Sequence, residues 1–138
     1  MKITFLGTGT SQGVPIIACE CSTCQSSDER DKRLRSSLLV EIDDTTLVID
    51  TGPDFRQQML RENVTKLDAI LITHDHKDHI GGLDDIRAFN YKQKRPMDVY
   101  ARQEVQNAVK REFGYAFSEE KYPGVPQINQ QYPGFKQG

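Results

Sequence analysis

Three histidines and two aspartates lie within six consecutive positions of this chain. Four of these residues, His74, His76, Asp78 and His79, could bind one metal centre together. They follow the apolar run 69–72, which predicts a short buried strand. Imidazole and carboxylate side chains bind first-row divalent metals such as zinc, manganese or iron. The chain has no other histidine, and a core or surface histidine would not need such neighbours. The spacing therefore predicts a metal site where a strand ends.

The periodicity of an extended chain explains how these four side chains meet. Successive side chains of a strand point to opposite sides, so His74 and His76 share one side. Asp78 and His79 follow where the chain turns, just ahead of the paired glycines at 81–82. We expect both to reach back to the same place, with Asp78 binding metal and orienting the attacking nucleophile.

A second carboxylate, Asp50, ends another apolar run, 46–49. A carboxylate at the end of a buried strand is costly unless it is paired or hydrogen-bonded. We therefore expect Asp50 to point into the same site and to orient the metal ligands. The alternative is a helix N-cap ahead of Pro53, because aspartate is common at that position.

All three cysteines of the chain, Cys19, Cys21 and Cys24, lie in a separate group, named the Cys cluster below. Three thiols so close together, and odd in number, do not form a disulfide framework. Their spacing favours three thiolate ligands of a structural zinc ion, whose fourth ligand the sequence does not reveal. Ordinary free cysteines in a loop are the alternative.

The remaining sequence must position these groups. Apolar β-branched runs predict strands at 2–6, 36–42, 46–49, 69–72 and 97–101. Apolar periodicity predicts helices at 55–62, 83–92 and 104–113. This order of strands and helices is typical of an α/β fold. From residue 114 onward the Pro- and Gln-containing sequence shows no sustained period.

Length and charge narrow the class of protein. A chain of 138 residues is long enough for one domain with its own core. A net charge of −2 gives no sign of nucleic-acid binding by charge alone, so no nucleic-acid partner is expected. Because no apolar run approaches the length of a membrane span and the start does not resemble a signal peptide, we expect a cytoplasmic location away from membranes.

Four strings of the sequence carry a resemblance to a known family. His-x-His-x-Asp-His at 74–79, after an apolar strand, resembles the metal-binding signature of metallo-β-lactamase-fold hydrolases. Phe-Leu-Gly-Thr-Gly-Thr-Ser at 5–11 resembles the branch that contains phosphodiesterases and tRNA 3′-processing ribonucleases. Two more strings narrow the resemblance further: Asp-Thr-Gly-Pro-Asp at 50–54 and C-x-C-x-x-C at 19–24. Both resemble phosphoribosyl cyclic phosphate phosphodiesterase-like proteins of the carbon–phosphorus lyase pathway.

The resemblance implies an αβ/βα sandwich, of which residues 1–138 form a single domain equivalent to the N-terminal half. It implies two divalent ions, zinc or manganese, at the histidine motif, and one structural zinc at the Cys cluster. The remaining ligands of that family come from a second half of the chain. A sheet with helices on one face only would expose an apolar face, so self-association, for example as a homodimer, is expected.

The function implied by the resemblance is hydrolysis of a small cyclic phosphodiester by hydroxide generated at the metals. A thioester or other acyl hydrolase on the same fold is one alternative. A tRNA-processing type of ribonuclease is another, weakened by the lack of a basic arm in this sequence. A non-catalytic metal-binding module is the third, favoured if the chain is naturally complete.

Overall fold

The structure, a computed structural model, describes residues 1–134; the last four residues of the expected single domain, 135–138, lie outside this part. The strands are β1 (Lys2–Gly7), β2 (Ser37–Ile42), β3 (Thr45–Ile49), β4 (Ala69–Leu71), β5 (Met97–Tyr100) and β6 (Ile128–Gln131). The α-helices are α1 (Phe55–Arg61), α2 (Lys77–Ile80), α3 (Arg87–Gln93) and α4 (Gln103–Glu112). Single 3-10 turns lie at Glu29–Asp31, Leu83–Ile86 and Gly114–Ala116.

The six strands form one mixed sheet in chain order. β1, β2 and β3 pair antiparallel, whereas β3, β4, β5 and β6 pair parallel. Since β1 and β3 both run opposite to β2, the carboxyl ends of β1, β3 and β4 lie at the same edge of the sheet. The loops that leave these strands contain the residues 8–11, 50–54 and 73–76.

One face of the sheet packs against the helices. Leu39, Val48, Ile70 and Val99 are register partners across four strands, and all four are buried. They belong to one buried cluster with Phe55, Met59, Phe89, Val105 and Val109 from α1, α3 and α4. Burying each side chain of this size is worth about 1.5–3 kcal/mol, so this face holds the helices in place.

The opposite face of the sheet is apolar and open. Phe5, Leu38, Ile49, Leu71 and Tyr100 are register partners on this face. Phe5 is 68% exposed, whereas its neighbour Leu6, which points the other way, is fully buried. The expectation of helices on one face only is therefore confirmed; self-association through the open face stays a prediction.

The predicted strands and helices are present with small shifts of their ends, and two differences have physical reasons. Sequence periodicity missed β6, because its residues 129–131 are all polar amides; Asn129 Nδ2 and Gln131 Nε2 donate to Asp98 of β5. The single helix expected at 83–92 is a 3-10 turn followed by α3. Within residues 1–134, no helix has the length and apolar character needed to cross a bilayer.

Candidate metal centre

The four motif residues lie where β4 ends, on a short loop and on α2. The Ile72 N–H still donates to the Tyr100 carbonyl at 2.9 Å, and the chain then leaves the sheet. One donor atom each of His74, His76 and Asp78 lie within 4.8 Å of one another. The rings of His74 and His76 meet edge to face, with their centroids 4.7 Å apart. The sequence spacing thus does bring these three side chains together; their binding of metal stays a prediction.

His79 lies between two carboxylates. Its Nδ1 is 2.7 Å from Asp50 Oδ2, and its Nε2 is 2.9 Å from Asp78 Oδ2. A neutral imidazole has only one N–H, so if Nδ1 donates to Asp50, the Nε2 lone pair faces a carboxylate oxygen. Two acceptor atoms at that distance need a proton or a cation between them. This geometry fits a divalent ion held by His79 and Asp78 together.

Asp50 lies at the end of β3, with its side chain in contact with His79; its role in orienting metal ligands stays a prediction. It is 5% exposed and has a left-handed backbone with φ 65°, a conformation that aspartate tolerates better than most residues. Its Oδ1 accepts from the Thr73 N–H at 2.8 Å, and its Oδ2 accepts from the Thr73 hydroxyl at 2.7 Å. The alternative role of Asp50 as a helix N-cap is wrong, because α1 begins at Phe55 with Asp54 at the cap position.

Thr73 is a site residue that the sequence analysis missed. Its single hydroxyl proton is donated to Asp50, so its oxygen can accept from His74 Nδ1 at 3.0 Å. That bond leaves His74 Nε2 as the nitrogen with a free lone pair. Asp50 therefore orients two imidazoles, His79 directly and His74 through Thr73. The sequence feature that could have identified Thr73 is its hydroxyl group, immediately before the first histidine of the motif.

The turn at 50–54 packs directly against the backbone of α2. The Thr51 N–H donates to the His79 carbonyl at 2.8 Å, and the Gly82 N–H donates to the Thr51 carbonyl at 2.9 Å. A Cβ atom on Gly52 would overlap the Asp78 carbonyl oxygen, so only glycine permits this approach. The relative positions of Asp50, Asp78 and His79 are thus fixed by backbone contacts as well as by their side chains.

Two contacts connect the end of α4 to the motif region. Lys77 Nζ lies 2.6 Å from Glu112 Oε2, and this hydrogen bond lowers the pKa of Glu112. The Tyr115 hydroxyl donates to Asp84 Oδ1 at 2.6 Å. Partial burial, with this bond to a carboxylate, raises the pKa of Tyr115 to about 12. Both contacts hold α4 and the following turn near α2.

The Cys cluster also forms a compact group, with its three Sγ atoms within 4.8 Å of one another and no disulfide. The Cys24 N–H donates to Cys21 Sγ at 3.4 Å, and this bond is the main reason that the pKa of Cys21 falls to about 7. The Ile16 N–H bond lowers the pKa of Cys24, but burial and the two neighbouring thiols outweigh it and raise that pKa. Three clustered sulfurs, one easily ionised, fit the predicted zinc ion.

The chain is an α/β protein with a mixed sheet and helices on one face. A cluster of imidazoles and carboxylates that could hold a metal ion lies at the carboxyl ends of its strands. Residues 45–133 match the family model described as the beta-lactamase superfamily domain. This match covers well over half of the chain, so the chain belongs to that superfamily. The expected metallo-β-lactamase superfamily and fold class are confirmed.

Individual relatives match nearly all of the chain. An octanoyltransferase of Porphyromonas gingivalis is 46% identical over 127 residues, covering 91% of this chain and 25% of that protein. The crystal structure of a diphosphatase of the PhnP family is 41% identical with a TM-score of 0.83, covering 94% of this chain and 49% of the other. A ribonuclease Z of Staphylococcus epidermidis is 29% identical, covering 95% of this chain and 40% of that enzyme. The chain thus spans half or less of the length of each.

Proposed function

We propose that this chain supplies half of the active site of a metal-dependent phosphodiesterase that acts on a small, cyclic phosphodiester. The observation that carries the proposal is the position of His79 between Asp50 and Asp78, with its ring centroid 3.8 Å from that of His74. Donor atoms of His74, His76 and Asp78 lie within 4.8 Å of one another beside it. The likeness to a diphosphatase of 41% identity supports phosphorus chemistry. Because the chain covers about half of that structure, the proposal concerns the protein completed by a second half.

His74, His76, Asp78 and His79 would hold two divalent ions, zinc or manganese, with further ligands from outside this chain. Such ions supply a water nucleophile at neutral pH and neutralise charge on the phosphoryl oxygens. The protein's own contribution is orientation. Asp50 keeps Nδ1 of His79 protonated and, through Thr73, does the same for His74, so that both Nε2 lone pairs are available.

The Cys cluster would bind one structural zinc in the same protein. Its three sulfurs supply three of the four ligands that such a site needs. The fourth ligand would come from the second half, from a partner or from water. This site lies in a different loop from the histidine motif, so its zinc would serve folding rather than catalysis.

The test compares hydrolysis of a chromogenic phosphodiester by the completed protein and by its His76→Ala variant, with zinc or manganese added. We expect His76→Ala to lose most of the metal at its site and most of the activity, because it removes a direct ligand. Asp75→Ala is the matched control, since Asp75 is exposed and lies outside the donor group. Unchanged metal content and activity in His76→Ala would refute the metal mechanism.

An acyl hydrolase is the second candidate, because a relative with 46% identity, of which this chain covers 25%, is named an octanoyltransferase. A thioester substrate in the same assay separates the two. Faster turnover of the thioester than of the phosphodiester, lost in His76→Ala, would replace the phosphodiesterase proposal. The 138-residue chain alone should hydrolyse little of either substrate, because it holds only part of a two-ion ligand set.

A further inference from the structure

Arg35 and Asp54 form the most buried Lys/Arg–Asp/Glu ion pair within residues 1–134. Their side chains are 28% and 15% exposed, and Arg35 Nη1 lies 3.0 Å from Asp54 Oδ1. The Arg35 backbone N–H also donates to Asp54 Oδ2 at 2.8 Å. On another side of the same guanidinium, Nε donates to the Ser11 carbonyl at 2.8 Å. The planar guanidinium of Arg35 therefore contacts Ser11 and Asp54 through different nitrogen atoms. A lysine has only one nitrogen at the end of its side chain and does not offer this geometry.

The segment around Arg35 also holds the loop 8–11 that leaves β1. The Gly9 N–H donates to the Leu34 carbonyl at 2.8 Å, and the Ser36 hydroxyl donates to the Gly9 carbonyl at 3.1 Å. A Cβ atom on Gly7 would overlap the Arg35 carbonyl oxygen, so β1 passes this segment in direct contact. That carbonyl in turn accepts from Gln58 of α1 at 2.9 Å. The loop is thus held along the side that faces residues 33–36.

The loop 8–11 leaves the sheet at the same edge as the candidate metal centre. Gly7 pairs with Ser37, and the Ser37 hydroxyl donates to the Asp50 carbonyl at 2.8 Å. Since neighbouring strands lie about 4.8 Å apart, the ends of β1 and β3 are separated by roughly 10 Å. Asp54 belongs to the same turn as Asp50.

We infer that Arg35 is a positioning residue, which holds the loop 8–11 beside the metal centre as one side of the substrate site. Thr8, Thr10 and Ser11 are exposed on this loop, and their hydroxyl groups suit the oxygens of a phosphate ester. Asp54 fixes the guanidinium, and the guanidinium fixes Ser11. The inference rests on the proposed function, because it assigns the loop to the substrate of that same site.

The test is amide hydrogen exchange, followed by NMR, in the 138-residue chain and three variants: Arg35→Gln, Arg35→Lys and Asp54→Asn. Two backbone amides report on the loop: that of Gly9 within it and that of Gly13 just after it, which donates to the Thr10 carbonyl. We expect exchange at both to rise about tenfold or more in Arg35→Gln, because the hydrogen bond from the charged Arg35 to the Ser11 carbonyl is lost. Arg35→Lys should recover the contact with Asp54 but not the one with Ser11, so the loop should stay fast. Arg30→Gln, at an exposed ion pair with Asp28, is the matched control.

A purely structural role predicts a different result. If Arg35→Gln raises exchange in the loop and in β3 and β4 by the same factor, Arg35 supports only the global fold and the inference is overturned. Unchanged exchange in the loop would overturn it as well. In a second experiment, inorganic phosphate is added to the zinc-loaded wild-type chain and to the Arg35→Lys variant. Phosphate should change the NMR chemical shifts of amides 8–11 in the wild type, and the changes should be smaller in the variant. Equal shifts in both would contradict the inference.

Cobalt(II) binding separates this inference from the proposed function. The visible bands of cobalt at imidazole ligands report on the histidine motif, whereas thiolate charge-transfer bands report on the Cys cluster. A completed protein that shows only the thiolate bands would refute the metal centre and leave the exchange result in the 138-residue chain intact. Imidazole bands in every variant, with an unchanged loop, would refute the role of Arg35 alone.

Discussion

Replacing Asp50 with asparagine tests the orientation of the candidate metal centre most directly. Asparagine has nearly the same shape and also tolerates the left-handed backbone at φ 65°, so the turn should survive. Its remaining carbonyl oxygen can still accept from the Thr73 N–H. The amide group that replaces Oδ2 cannot accept from the Thr73 hydroxyl or from His79 Nδ1.

The expected magnitude follows from these bonds. The Thr73 hydroxyl can rotate and accept from the new amide. His79 could accept from that amide only by moving its proton from Nδ1 to Nε2, so the charge-assisted bond from Nδ1–H to the carboxylate is the main loss. Hydrogen bonds to charged groups contribute about 1.5–3 kcal/mol, so we expect the free energy of unfolding to fall by that amount. For a chain of 138 residues, each kcal/mol corresponds to roughly 3–4 °C, giving a Tm lower by roughly 5–12 °C.

Urea and thermal unfolding of the metal-free chain, followed by circular dichroism, measure this change. Asp43→Asn is the matched control, because Asp43 is also left-handed, with φ 50°, but is exposed in the hairpin turn. Asp50→Ala should lose about 1–2 kcal/mol more than Asp50→Asn, since alanine is strained in this conformation. If Asp50→Asn unfolds with the same free energy as the wild type, the contact with His79 contributes nothing and the reasoning fails.

Four further predictions concern other parts of the chain. Gly52→Ala should lower the free energy of unfolding by about 1–3 kcal/mol, because its Cβ would displace the Asp78 backbone; thermal unfolding measures this. Changing all three residues of the Cys cluster to serine should abolish one tightly bound zinc per completed protein, as measured by elemental analysis. Phe5→Lys should reduce self-association in sedimentation experiments, because it places a charge on the open apolar face. Tyr115 has a pKa raised to about 12, so Tyr115→Phe should remove the step near pH 12 from an ultraviolet titration. Since an unfolded tyrosine ionises near pH 10, this group's contribution to stability is complete below pH 10 and is lost between pH 10 and 12.

Each of these predictions has an outcome that contradicts it. A wild-type melting curve for Gly52→Ala would mean that α2 can move away from the turn without cost. Unchanged zinc in the serine variant would leave the cysteines as ordinary free thiols. A wild-type chain that sediments strictly as a monomer would show that the open face of the sheet does not associate. Loss of an early titration step in Tyr115→Phe would mean that its hydroxyl is in free contact with water.

Much of the sheet could be predicted from the sequence, because its central strands are apolar runs between polar turns. Leu39, Val48 and Ile70 alternate with the residues of the open face, as a half-covered sheet requires. β6 could not be predicted in this way. The polar residues of β6 are tolerated in a strand because β6 lies at the edge of the sheet and because two of them donate to Asp98 of β5. The edge position and the contact with Asp98 both require the tertiary structure.

The candidate site shows a similar division. The clustering of His74, His76 and Asp78 follows from spacing alone, since a short loop and one helical turn cannot separate them far. The direction of each imidazole does not follow from spacing. It depends on Thr73 and on a carboxylate 23 residues earlier in the chain, whose direction is set by a left-handed turn. A pattern of residue types identifies ligand candidates, whereas their hydrogen-bond partners require the tertiary structure.

Asp50 can be identified from the sequence pattern, and it is also a hydrogen-bond partner whose contacts require the tertiary structure. It is the one buried aspartate within residues 1–134, and its two oxygens contact the strand end before the motif and the helix within it. Because the Thr51 and Gly82 backbone bonds hold the same turn against α2, the side-chain contacts form at little further cost in entropy. The orientation of His79 and, through Thr73, of His74 is therefore set by contacts within this chain. Under the proposed function, further ligands would meet imidazoles whose direction these contacts already set.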